Sequence, residues 1–216
     1  MTKLPLKSLS DEVFARVQSD ILSGVLAADT PIRQDALAES LGISKIPVRE
    51  ALTRLEQTGF VVSLPRRGYC VRGFSPSEAE EIFEIRLALE PKAAAAGAVA
   101  ANSEDRRIAA NALAALEAEV DAGGSNAGKL NREFHQSLLQ PARRPMTQET
   151  ILRLHMLAER YVNLHLKPEG RGARAEQEHR EIYTAWSRRA ASDVERLLDL
   201  HIRQTLEDLL SQMPRT

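Results

Sequence analysis

From Ser75 to Thr216 the apolar residues recur only at helical spacing, and no stretch alternates or clusters as a strand requires. Six amphipathic patterns run over about 76–101, 103–122, 127–140, 145–166, 173–189 and 192–212. The breaks at Asn102-Ser103, GGSN, PARRP, PEGRG and Ala191-Ser192 each carry a glycine, a proline or a capping residue. Long helices joined by short connections run antiparallel to bury their apolar stripes, so this region is expected to fold as an all-α bundle of about six helices.

Residues 1–74 read differently. Ser10 is placed to cap a helix that runs to about residue 23, with Val13, Val17, Ile21 and Leu22 on one face and Gly24 as its stop. After a turn containing Pro31, two short helical patterns, 33–40 and 44–58, are joined by LGIS. Beyond Gly59 the period changes: FVVSLP, the turn RRG and YCVRGF predict a two-stranded hairpin. The fold expected is therefore mainly α in two domains, 1–74 and 75–216, meeting near Phe74-Ser75-Pro76.

A net charge of −1 excludes a chain that coats a polyanion along its whole length. Between residues 42 and 72, however, six Lys/Arg face two Asp/Glu, which places any polyanion site there. The one cysteine, Cys70, rules out an internal disulfide and suits a reducing compartment. The first 30 residues hold no continuous apolar run, and no uncharged apolar stretch reaches 18 residues, so the expectation is a cytoplasmic protein with no membrane partner.

In LGISKIPVREALTRLEQTGF, Ser44 is a natural N-cap and Pro47 falls in the first helical turn, where a missing N–H does least harm. Val48, Ala51, Leu52 and Leu55 form a buried stripe. Lys45, Arg49 and Thr53 form another face with two cations and a hydroxyl, chemistry that suits phosphates and base edges in a DNA major groove. A solvated helix with surface charges is the plainer alternative. A short preceding helix, a tight turn at Gly42 and a hairpin tipped by Arg66-Arg67-Gly68 favour a winged helix-turn-helix.

Residues 8–74 resemble the DNA-binding domain of the GntR family of bacterial transcription regulators, matching its "LA-x-x-LG-x-S-x-x-P-V-R-E-A-L-x-x-L" pattern nearly throughout. The resemblance implies that double-stranded DNA is contacted by Ser44, Lys45, Ile46, Pro47, Arg49 and, on the wing, Arg66, Arg67 and Gly68. The chain departs from the family at GVLAADTPI, where a Pro-Gly turn is usual. It departs again at Lys45 and Ile46, where Arg and Thr are common, and those two positions bear on which operator is read.

NREFHQSLL, residues 131–139, sets Asn131 and His135 one turn apart on the inward side of a helix. They form either a hydrogen-bonded core pair or half of a metal site. His179 shares a stripe with Ile182, Tyr183 and Trp186, and His201 shares one with Val194, Leu197, Leu198 and Thr205. Any one inward histidine is most simply a packed core residue, but three on separate helices point to a shared ligand set. The region resembles the FCD domain of the FadR branch of the GntR family, where an Asp-x-x-x-His pair and two later histidines bind a divalent metal below an effector cavity. That resemblance implies Asn131, His135, His179 and His201 as ligands for an ion of the Zn, Ni or Mn type, with Asn in place of the anionic Asp. His155 and His165 match nothing in the pattern; His155 is expected in packing or behind the ligands.

Arg86 lies on the stripe of Ile82, Ile85 and Leu89, and a buried guanidinium needs an anion. Two readings stay open: an internal pair with Glu90 one turn on, or a clamp for the carboxylate of an effector. The combined expectation is a homodimeric, ligand-responsive transcription regulator, a repressor at a palindromic operator, with a small carboxylate effector and no enzymatic activity. A metal-dependent hydrolase using the three histidines and a metal-free regulator binding acyl chains are the alternatives. The Ala-rich helix 88–101 is the candidate dimer interface, because small side chains permit close approach.

Overall fold

A computed structural model describes residues 8–124, 126–165 and 171–213. The chain divides into two compact units, residues 1–74 and 75–216. Residues 166–170, which include the first part of the PEGRG break, and the His165 side chain lie outside what is described.

In the first unit α1 spans Leu9–Leu22. Its cap is Ser8 rather than the expected Ser10. Asp11 sits three residues after Ser8, so the Ser8 N–H donates to Asp11 Oδ2 at 3.1 Å while Asp11 N–H donates to Ser8 Oγ at 3.2 Å. Ser10 has Val13 at the matching position and cannot close this reciprocal box. α2 (Gln34–Leu41) ends at Gly42, whose left-handed backbone (φ 65°) makes the tight turn into α3 (Lys45–Gln57). Val48, Ala51, Leu52 and Leu55 of α3 are fully buried, as their spacing predicted. Arg54 fastens α3 to α1, donating to Asp11 at 2.6 Å while its guanidinium lies 4.6 Å from the centre of the Phe14 ring.

Strands β2 (Val61–Leu64) and β3 (Gly68–Val71) pair antiparallel, with Leu64 opposite Gly68 across the tip. The tip bends through positive φ at both Arg66 (62°) and Gly68 (86°). The sheet has three strands, not two: β1 (Pro31–Ile32) adds to the outer side of β3 in the order β1-β3-β2. Two residues carry no periodicity to read. Pro31 is tolerated at this edge because its missing donor is not needed there.

The second unit is helical: α4 (Pro76–Ala100), α5 (Ser103–Asp121), α6 (Ala127–Leu139), α7 (Pro145–His165), α8 (Arg171–Ser187) and α9 (Ala191–Gln212). A 3-10 turn, Gln140–Ala142, links α6 to α7. α4 is the central element, packing against α6, α7, α8 and α9. Its Ala93, Ala94, Gly97 and Ala98, the small side chains that made this helix the candidate dimer interface, are buried inside the chain's own bundle. At Gly97 the approach is closest: a Cβ there would stand 2.0 Å from the Leu138 carbonyl oxygen, which also accepts from Trp186 Nε1 at 3.0 Å. Among the described residues no helix is long and apolar enough to cross a membrane.

Candidate DNA-reading helix and metal centre

The start of α3 carries the predicted reading residues. Ser44 occupies the N-cap with extended backbone but makes no side-chain cap bond. Ile46 is 61% exposed, large for an aliphatic side chain, and Arg49 is exposed one turn after Lys45. Lys45 reaches back to α2, where Asp35 holds its Nζ at 2.8 Å. The reading face is shorter than predicted. Thr53 donates or accepts at 3.1 Å with the Tyr69 hydroxyl of β3 and also bonds the Arg49 carbonyl at 2.9 Å, so its hydroxyl ties the helix to the wing rather than facing outward. Arg66 and Arg67 are exposed at the wing tip, and Arg67 and Gly68 line a cleft with Arg33 and Asp35 at the start of α2.

In the second unit three helices deliver three imidazoles to one place. Ring centroids of His135 (α6), His179 (α8) and His201 (α9) are 4.8–5.4 Å apart, and one ligand nitrogen from each lies within 4.8 Å of the others. All three are at least 94% buried. Asn131 stands one turn before His135 on α6, half-buried.

Two carboxylates that the sequence reading did not assign to the site complete it. Glu90 of α4, with no exposed surface, accepts from His135 Nδ1 and from His155 Nε2, each at 2.9 Å through Oε1, while Oε2 accepts from Arg86 Nε at 3.0 Å. Glu178 of α8 accepts from His201 Nδ1 at 2.7 Å. A carboxylate can only accept here, so His135 and His201 carry their proton on Nδ1 and keep the Nε2 lone pair, while His155 carries its proton on Nε2. His135 Nε2 is buried with no hydrogen-bond partner.

Of the two readings open for Arg86, the structure holds the internal pair. The fully buried Glu90 carboxylate neutralises the guanidinium through its Nε. Its terminal nitrogen lies 3.5 Å from His155 Nε2, but that nitrogen already donates to Glu90 and so cannot accept. The sequence signal was present in the four-residue spacing of Arg86 and Glu90. Nothing in periodicity showed that Glu90 would also meet two histidines.

Electrostatics follow from burial. Desolvation acts most strongly on His135, His155 and His201 and lowers each below the usual histidine value, with Glu90 or Glu178 offsetting only part of it. These imidazoles are therefore neutral near pH 7, the form that ligates a metal. Burial pushes the Glu90 carboxyl up, but Arg86 and the hydrogen-bonded histidines outweigh it and hold the group well below the usual carboxylate range. A second set of candidate ligands, Glu90, His135 and His155, is also within reach of one ion. We assign that set to hydrogen bonding, because Arg86 already occupies Glu90 and would repel a cation beside it. The trio His135, His179 and His201 fits a divalent ion: three imidazole nitrogens within reach of one another and, at His135 Nε2, a buried lone pair with no hydrogen-bond partner.

A winged helix-turn-helix joined in one chain to a helical domain with such a buried centre defines the class of a two-domain transcription regulator. The chain belongs to the GntR family of bacterial regulatory proteins: the family's own pattern matches residues 9–71, and the FCD domain matches residues 81–204, more than half of the chain. It is 25% identical over 213 residues to the HTH-type transcriptional repressor RspR of Escherichia coli, across 95% of this chain and 90% of RspR. It is 27% identical over 130 residues to the HTH-type regulator YdhC of Bacillus subtilis, a match that spans 59% of this chain and 58% of YdhC. The solved structure of E. coli McbR/YncC superposes with a TM-score of 0.84 at 21% identity, covering 96% of this chain and 99% of that one. A GntR regulator from Rhodococcus sp. RHA1 gives 0.83 at 18%, covering 95% and 99%. At those identities the two structures establish the fold. These families and relatives are transcription regulators, not enzymes.

Proposed function

We propose that this chain is a homodimeric repressor that reads a palindromic operator and responds to a small carboxylate effector bound in a metal-containing cavity of its helical domain. The DNA arm of the reading rests on the exposed start of α3, where Lys45, Ile46 and Arg49 stand in sequence on one exposed turn, and on the cationic wing tip. One winged domain offers few cationic contacts, so two copies related by a twofold axis supply the affinity and the symmetry of the site.

The observation that carries the effector arm is the buried trio of His135, His179 and His201, with the His135 Nε2 lone pair left over. When bound, a divalent ion supplies a positive centre with positions open to a carboxylate. The residues around it favour an anion. Three imidazoles and the amide of Asn131 bring no negative charge, and the charge of Glu90 is taken by Arg86. An acidic effector would supply the missing anion, and closure of helices around it would shift the population of dimer geometries that fit the operator.

The test is metal content and effector response in His179→Ala and His201→Ala. Each variant should lose stoichiometric metal and its response while the apoprotein still binds DNA. If both fold and keep their metal, the three histidines are core packing and the effector arm fails.

A further inference from the structure

Two of the three ligand histidines are held in the same way by carboxylates from different helices. His135 Nδ1 donates to Glu90 of α4 at 2.9 Å, and His201 Nδ1 donates to Glu178 of α8 at 2.7 Å. In both, the carboxylate takes the same ring nitrogen and leaves Nε2 for the cluster. We infer that Glu178 and Glu90 are positioning residues of the metal centre: they fix the tautomer and ring orientation of His201 and His135 and raise the basicity of Nε2. This inference rests on the metal-centre reading above.

The physical argument begins with cost. A neutral imidazole buried among apolar helices has two tautomers and a ring flip available, and only one arrangement presents Nε2 to the other histidines. An anionic acceptor at Nδ1 selects that arrangement before any ion arrives. It also strengthens the lone pair, since charge on the acceptor is felt through the ring. A carboxylate kept in the interior for packing alone would be a poor choice, because burying it is costly and an apolar residue of equal size would fill the space. Glu90 is completely buried, and its charge is balanced by Arg86 on the side away from His135. The pairing leaves Oε1 to the imidazoles.

Glu178 is built along similar lines on the other side of the cluster. It adjoins His179 in sequence, so α8 carries one ligand and also the acceptor for the ligand on α9. Its Oε1 lies 3.2 Å from Arg174 Nε while its Oε2 serves His201. Arg174 in turn pairs with Asp208 of α9. The α8–α9 contact thus holds the carboxylate in place from behind, and the geometry of His201 does not depend on a mobile side chain.

Glu178 is the better test, because its side chain is 19% exposed and Arg174, the guanidinium paired with it, is 45% exposed. Zn²⁺ and Ni²⁺ affinities of full-length wild type, Glu178→Gln and Glu178→Ala are compared by competition with a chromophoric chelator, with the apoprotein unfolding midpoint and the Co²⁺ visible spectrum recorded for each. Removing the acceptor should weaken binding about 10- to 100-fold. Glu178→Gln, which keeps an acceptor oxygen and loses the charge, should fall between wild type and Glu178→Ala and restore the wild-type Co²⁺ band shape. A purely structural role would lower the apo midpoint and leave the affinity of the folded protein unchanged. Affinities within twofold of wild type for the folded Glu178 variants overturn the inference, and Glu178→Gln decides alone if Glu178→Ala does not fold. His179→Ala is measured alongside. If it too keeps wild-type affinity, the metal-centre reading itself has failed, an outcome distinct from failure of the positioning role.

Discussion

Asp35, one residue into α2, holds the Nζ of Lys45 at 2.8 Å across the turn of the helix-turn-helix. Both side chains are well exposed, so the pair adds little to stability and can exchange for a phosphate. The acid nevertheless competes with DNA for the same cation. Asp35→Ala should tighten operator binding about threefold at moderate salt, and Lys45→Ala should weaken it, as read by fluorescence anisotropy. Weaker binding by a folded Asp35→Ala protein would show that Asp35 helps to orient the reading helix instead.

Arg49 and the wing arginines should separate by specificity. Replacing Arg49 by Ala should cost about 1–3 kcal/mol on the operator and much less on unrelated DNA. Replacing Arg66 and Arg67 should weaken binding on every sequence and flatten its dependence on salt, since each lost phosphate contact releases one fewer counterion. Equal losses on operator and random duplex for Arg49→Ala would remove α3 from base reading.

Ile46 is an apolar side chain 61% exposed on the face where DNA would lie. A thymine methyl is the apolar group that a major groove offers. Operators with uracil in place of thymine should bind wild type more weakly, while Ile46→Ala should bind both forms alike. Identical affinities of wild type for the two duplexes would exclude this contact.

The buried histidines make stability depend on pH in a defined direction. Their folded-state values lie below the unfolded value of 6.5, so below that pH the unfolded chain binds more protons than the folded one. Stability of the apoprotein should therefore be flat above about pH 6.5 and fall as the pH drops toward the lowered values. Glu90, also lowered, withdraws its contribution at still lower pH, as the medium falls through its folded value. Thermal unfolding midpoints between pH 7.5 and 5 read the first phase. A midpoint that rises on acidification would contradict the neutral buried state.

Gly97 gives a sharp steric prediction. Gly97→Ala puts a methyl 2.0 Å from the Leu138 carbonyl oxygen, and backbone cannot give way as a side chain can. Overpacking of this kind costs about 1–3 kcal/mol or more, although alanine is otherwise the better helix former. The shift also disturbs the Trp186 bond to the same oxygen, so loss of the Trp fluorescence signature of the folded state should accompany the lower unfolding midpoint. An unchanged midpoint would mean that α4 and α6 can separate freely.

Sequence alone determined the features that local physics governs. Helical stripes such as Val48, Ala51, Leu52 and Leu55 follow from periodicity, and the glycine turn at Gly42 follows from backbone sterics. The inward faces of His135, His179 and His201 were legible for the same reason: a period states which side of a helix is buried. The Ser8 cap is encoded locally too, in the spacing from Ser8 to Asp11 that Ser10 lacks. What a buried face meets was decided by tertiary structure. Glu90 lies 45 residues from His135 in the chain, Glu178 lies 23 from His201, and Trp186 lies 48 from the carbonyl it bonds. The two-residue strand β1 exists only because β3 offers an edge, and the Thr53 hydroxyl turned inward because Tyr69 was there to receive it. Periodicity encodes the direction of a side chain, but its partner depends on how separate helices and strands pack. That packing made Arg86 the counterion of Glu90.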